Sequence, residues 1–152
     1  MASDVLGIYE ALSHMTVAVG AVVPRIWNLP DLKASLPASE SPARLLLPFG
    51  TRTEGRAFNV MSVTGRRGTV TWQITDLLLW KSVQLGMGIG EDAPNLGLYM
   101  MNYLNTVPDH LRIASKALIE GVALDPGVFN YPTGSKEWWR GVDVTLTIKE
   151  II

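Results

Sequence analysis

The sequence predicts an α+β fold: a mostly antiparallel sheet of about four strands, two or three helices packed on one face, and an extended proline-bearing arm. Three observations predict it. From Val142 to Ile148 apolar and polar residues alternate strictly, as in a strand with one buried and one wet face. From Thr69 to Trp80, Val70, Trp72, Ile74, Leu78 and Trp80 fall on one side, with Thr69, Thr71, Gln73 and Thr75 on the other. Helical spacing recurs twice, in Val5, Ile8, Leu12, Met15 and Val19 and again in Leu96, Tyr99, Met100, Tyr103 and Val107. Alternating strands joined by hairpins, with helices segregated to one side, define the class.

The elements follow in order. Ser3 caps a first helix that Gly20 and Pro24 close. The stretch from Val23 to Pro42 holds Pro24, Pro30, Pro37 and Pro42, which forbid a regular ladder or helix throughout. It reads as an extended arm whose Ile26, Trp27 and Leu29 need cover, either as a surface connection or on a neighbouring subunit. Ala43 to Phe49 has the length of a strand, ended by Pro48 and Gly50, and Thr51 to Gly55 is polar enough to be exposed. Phe58 to Val63 is a weaker strand. Arg66 and Arg67, between Gly65 and Gly68, mark the tip of a hairpin into the strand from Thr69. Asp92 can cap a helix with Pro94 in its first turn. Pro108 restarts the helix, and Val107, Leu111, Ala114 and Leu118 share a face of the second piece, which Gly121 ends. Val122 to Tyr131 is a short extended segment broken at Asp125-Pro126-Gly127, and the last strand follows.

At 152 residues, a single domain over 1–152 is expected, large enough to bury a self-sufficient core. There are no cysteines, which excludes thiolate metal sites and cysteine nucleophiles. A net charge of -1 gives no global field to steer the chain to nucleic acid. Charged residues make up only 18% of the chain against 47% hydrophobic, so the surface has apolar area to hide. No secretory leader or membrane span is expected, because the apolar runs are short and interrupted.

Little catalytic chemistry is legible. Gly86, Gly88 and Gly90 have a dinucleotide-loop look, but Glu91 stands where the third glycine of that fingerprint belongs. Glu91 and Asp92 would also repel a phosphate from the helix that follows. His14 and His110 lack metal-type spacing, and no serine elbow accompanies His110. Asp76 falls on the apolar row of its strand, where a carboxylate needs a partner or a shifted pKa. Catalytic, cofactor and metal residues are accordingly expected to be none. Adjacent Trp138 and Trp139 must point to opposite sides of the sheet, so one joins the core and the other is left over beside Arg140. A leftover aromatic next to an arginine is the composition of a surface covered by another protein. The interface candidates are therefore Ile26, Trp27, Leu29, Arg66, Arg67, Asp76, Trp138, Trp139 and Arg140.

The order of these segments resembles the tail terminator, or tail completion, proteins of long-tailed bacteriophages. It runs from an N-terminal helix through a proline-bearing stretch to Ala43-Arg44-Leu45-Leu46-Leu47-Pro48. A polar hairpin, the strand Thr69 to Trp80, a helix from Pro94, Gly121-Val122-Ala123-Leu124 and Arg140 to Leu146 come after it. The resemblance implies a homohexameric ring that caps the finished tail tube, stops its polymerisation and joins the tail to the head connector or stopper. Its partners would be copies of itself, the tail tube protein and the connector. DNA would pass through the lumen without specific binding, and no membrane would be involved. The expected location is the virion tail or neck, after assembly in the host cytoplasm. A stopper or adaptor of the same neck is the alternative. A small enzyme or ligand-binding domain with a pocket near Asp76 and His110 is the reading from another class.

Overall fold

The strictly alternating last stretch becomes the middle of a six-stranded sheet rather than a four-stranded one. The structure, a computed structural model, describes residues 4–32, 36–47, 69–83, 89–113, 117–131 and 134–151. Its strands are β1 (Arg25–Trp27), β2 (Ala43–Leu47), β3 (Thr69–Ser82), β4 (Arg112–Ile113), β5 (Ala117–Asn130) and β6 (Trp138–Ile151). They lie in the order β1-β2-β3-β6-β5-β4. Only β1 and β2 run parallel; every other pair is antiparallel. Three strands of 14 residues, β3, β6 and β5, form the body of the sheet.

The helices α1 (Val5–Ser13) and α2 (Ile89–Thr106) pack on one face. Ile8, Tyr9 and Leu12 of α1 and Leu96, Tyr99 and Tyr103 of α2 meet Trp72, Ile74, Val144, Leu146 and Ile148 of the sheet. Asp4, not Ser3, caps α1, its carboxylate accepting the Gly7 N–H at 3.2 Å. The helix also stops earlier than its apolar spacing suggests. β-branched Thr16, Val17 and Val19 favour extended backbone, so Met15, Val17 and Val19 stay buried as a stretched segment. A tight turn at Gly20 (φ 60°), closed by the Val19–Val22 bridge, ends it.

The other face has its own core, which the sequence reading lacks. Leu45, Leu47, Leu77 and Leu79 point away from the helices, and Phe129 and Trp139 join them. The arm covers this core: Trp27, Leu32 and Leu36 pack against it. β1 and two short 3-10 turns, Leu29–Asp31 and Ala38–Glu40, break the arm up. The Ser41–Pro42 peptide bond is cis. The arm that the sequence offers to a neighbour thus folds across its own sheet.

Past α2 the structure departs furthest from the sequence reading. Pro108 does not restart a helix. A 3-10 turn, Val107–His110, leads into β4 and β5. Ala117 and Ile119 face in while Leu118 and Glu120 face out, which is strand periodicity. Pro126 does not interrupt β5: among the described residues, β4 covers β5 only at Ala117 and Leu118, and the rest of its outer side is an edge. Proline is tolerated on an edge strand, where its missing N–H breaks no ladder bond. Among the described residues, no helix is long and apolar enough to cross a membrane.

Candidate functional site

Asp76 is fully buried, and so is Arg44, a residue that sequence reading passes over inside its apolar run. The β2–β3 register sets Arg44 opposite Leu78 and Asp76 opposite Leu46, so the two charges are diagonal neighbours on the helix face. Arg44 Nη2 donates to Asp76 Oδ2 at 2.5 Å and Nε to Oδ1 at 3.3 Å, a bidentate pair. Tyr103 Oη donates to the same Oδ2 at 2.8 Å, and Arg44 Nη1 donates to the Met15 carbonyl. Burial alone would lower the Arg44 pKa; the Asp76 carboxylate outweighs it and holds the guanidinium charged. Tyr99 packs against Tyr103 with ring centroids 5.8 Å apart, and its hydroxyl has no hydrogen-bond partner among the described residues. Burial, and then the Asp76 charge, push both tyrosines well above their ordinary range. This cluster joins β2, β3, α2 and the segment after α1 into one unit. With Asp76 sealed from solvent and paired, its role is to hold those elements together, and His110 lies outside the network.

The two tryptophans separate as the alternation of β6 requires. Trp139 is 1% exposed, in the core beneath the arm, whereas Trp138 is 45% exposed on the helix side. Arg140, two residues on, shares that side. Its Nη1 donates to Asp92 Oδ2 at 2.7 Å, so Asp92 is no helix cap but a nearly buried anchor tying α2 to β6. Among the arm candidates, Trp27 is 3% exposed, with the Arg25 guanidinium 4.2 Å above its ring. Ile26 and Leu29 are half-buried against the main core. Arg66 and Arg67, with the hairpin tip, the exposed stretch 51–55 and the strand 58–63 expected from the sequence, lie outside the described residues.

Of the nine candidates, the structure leaves Trp138 exposed, sets Arg140 on the same side with its side chain largely buried against Asp92, and turns Trp27, Asp76 and Trp139 inward. Around Arg140 lies apolar ground that the sequence reading did not single out. A pocket of about 350 Å³ opens between α2 and β5. Ala93, Leu96 and Met100 line it from the helix, Pro126, Gly127 and Val128 from the strand, and Arg140 from β6. Val128 is 44% exposed and pairs with Arg140 across the ladder. On the outer side of α2, Leu98, Met101 and Leu104 are all exposed, at 43%, 64% and 50%. From Ala93 to Thr106 the helix carries no charged residue at all. An exposed helix face without charge is the signal that was available: spacing of three from Leu98 marks a second stripe opposite the core stripe.

Comparison of the chain with family models, curated proteins and solved structures finds no match.

Proposed function

We propose that this chain is a structural subunit that assembles with copies of itself into a ring, in the role of a phage tail terminator. The ring would cap a tail tube, stop its growth and meet the head connector. One observation carries the reading: α2 is uncharged from Ala93 to Thr106 with Leu98, Met101 and Leu104 exposed, and its Leu96 and Met100 line an apolar pocket with Val128. Contiguous apolar ground of this kind marks a protein contact more often than it marks bare surface. A closed ring shields such a surface on every copy at once, with no free end left to aggregate. Termination then needs no energy source, since a ring whose far face fails to match the tube offers the next tube subunit no site. The proposed partners are the tube protein and the connector, and the proposed location is the virion tail or neck.

Native mass measurement with negative-stain imaging of the purified protein tests this reading. The expected result is a ring-sized oligomer, or a monomer that assembles on tails. A monomer that ignores tails, from a gene whose loss leaves tail length unchanged, would overturn it. Deletion of the gene separates the terminator from its alternative: overlong tails mean a lost terminator, and normal tails unjoined to heads mean a lost stopper or adaptor.

A further inference from the structure

β2 and the stretch of β3 that pairs with it follow one pattern. β2 reads Ala43-Arg44-Leu45-Leu46-Leu47, and its partner reads Thr75-Asp76-Leu77-Leu78-Leu79. Each holds one charge followed by three leucines. Every residue of both stretches is buried, so neither strand has a wet face here. In a sheet with one wet face, a one-residue slip turns the apolar set outward, and alternation sets the register. That signal is missing between β2 and β3.

The observed register also matches the leucines poorly. Of the three in β2, only Leu45 lies opposite a leucine, Leu77, while Leu46 faces Asp76 and Leu47 faces Thr75. A slip of one residue would set Leu45 and Leu46 against Leu78 and Leu77. A slip of two in the same direction would set all three against Leu79, Leu78 and Leu77. Both slips break the ion pair. β3 is held by its ladder with β6 from Thr69 to Ser82, whereas the other neighbour of β2 is the short β1, so β2 is the strand free to choose. One residue of slip, in either direction, turns Arg44 to the arm side of the sheet, away from Asp76. Two residues keep the side but leave the charges four ladder positions apart, roughly 13 Å at about 3.3 Å per residue. The opposite slip of two sets Arg44 directly across from Asp76 but pairs no leucine with another.

We propose that the Arg44–Asp76 pair is a register lock, selecting one alignment of β2 on β3 among several that apolar burial alone would accept. Tyr103 of α2 fixes Asp76 and the Met15 carbonyl fixes Arg44, so the lock is anchored outside the ladder it controls. Fixing register is the best-attested use of a buried charge, whose net stability is small once desolvation is counted. The alignment also decides which leucines meet the arm, since Leu45 and Leu47 share the second core with Trp27 and Leu36. The lock stands whether or not the chain assembles.

Methyl resonances of the six leucines, readable in a single chain and in a large assembly, test it. Wild type and Arg44→Lys, which keeps a cation beside Asp76, are expected to give one set with Leu45 next to Leu77. Arg44→Met combined with Asp76→Leu is expected to fold and to give a second set at about a tenth or more of the total intensity. In that set Leu45 lies next to Leu78 or Leu79. One set with Leu45 still beside Leu77 overturns the lock. A double variant that does not fold overturns it too, because the pair would then be needed for stability and not for choosing. A second set in Arg44→Lys also overturns it, since altered packing and not the lost charge would be the cause.

Discussion

Arg44 and Asp76 are each bearable only because of the other. A bidentate pair in a dry interior balances desolvation against attraction, and removal of one member leaves a bare buried charge. Arg44→Met should therefore cost about 3–5 kcal/mol in urea denaturation, while Arg44→Met combined with Asp76→Leu should recover most of that loss. Equal losses in the single and double variants would mean that the pair does not act as a unit. The tyrosines give a second prediction. Burial raises the pKa of Tyr9, Tyr99, Tyr103 and Tyr131, which are all the tyrosines of the chain. Each is neutral in the folded state, so its contribution is complete below the unfolded value of about 10 and fades as pH rises beyond it. Phenolate absorbance of the buried Tyr9, Tyr99 and Tyr103 should accordingly appear together with loss of the fold in strong alkali. In a Tyr131→Phe background, a gradual rise near pH 10 with the fold intact would contradict this. Asp76 was legible in the sequence as a carboxylate in need of company. Its partner was not, because Arg44 sits in a run whose other members are all apolar and only the strand register brings the two together.

Elements were legible where one period ran unopposed. β3, β6 and the core stripe of α2 all follow from spacing. The segment from Arg112 to Asn130 does not, because Val107, Leu111, Ala114 and Leu118 imitate a helix while Ala117 to Glu120 alternate as a strand. Pairing with β6 decides the conflict in favour of the strand. Two-sided burial was also hidden: Leu77 and Leu79 look like excess hydrophobics until the arm is found over them. Where β3 meets β6, the register shifts between Leu79 and Lys81, and Gly141 sits opposite Leu79. A Cβ at Gly141 would run into the Leu78 carbonyl oxygen, whereas one at Gly121 meets only ordinary contact with Thr147. Gly141→Ala should lower stability by about 1–3 kcal/mol, and Gly121→Ala should stay within about 0.5 kcal/mol. Thermal melts of the two variants side by side check the contrast.

At the scale of the whole molecule, the tryptophans would report the proposed assembly. Trp138 is accessible in the single chain, while Trp27, Trp72 and Trp139 are at most 7% exposed. Acrylamide should quench Trp138 in a monomer far more than in an assembled ring, and Trp138→Phe should abolish that difference. Quenching that is unchanged on assembly would place Trp138 outside the contact. The interface candidates were legible only in part because an aromatic in sequence has no side. Trp138 and Trp139 are neighbours of equal chemistry, and only the phase of β6 against the second core tells them apart.

The position of β6 in the sheet has a consequence for biosynthesis. Residues 138–151 lie between β3 and β5, so neither of those long strands has its main partner until the ribosome has read that far. Thr69 pairs with Ile151. At roughly 5–20 residues per second, the start of β3 waits on the order of 4–16 seconds for its mate to be translated. During that interval the nascent polypeptide carries Trp72 and Ile74 without their ladder partners Ile148 and Leu146, and chaperones would find their client there.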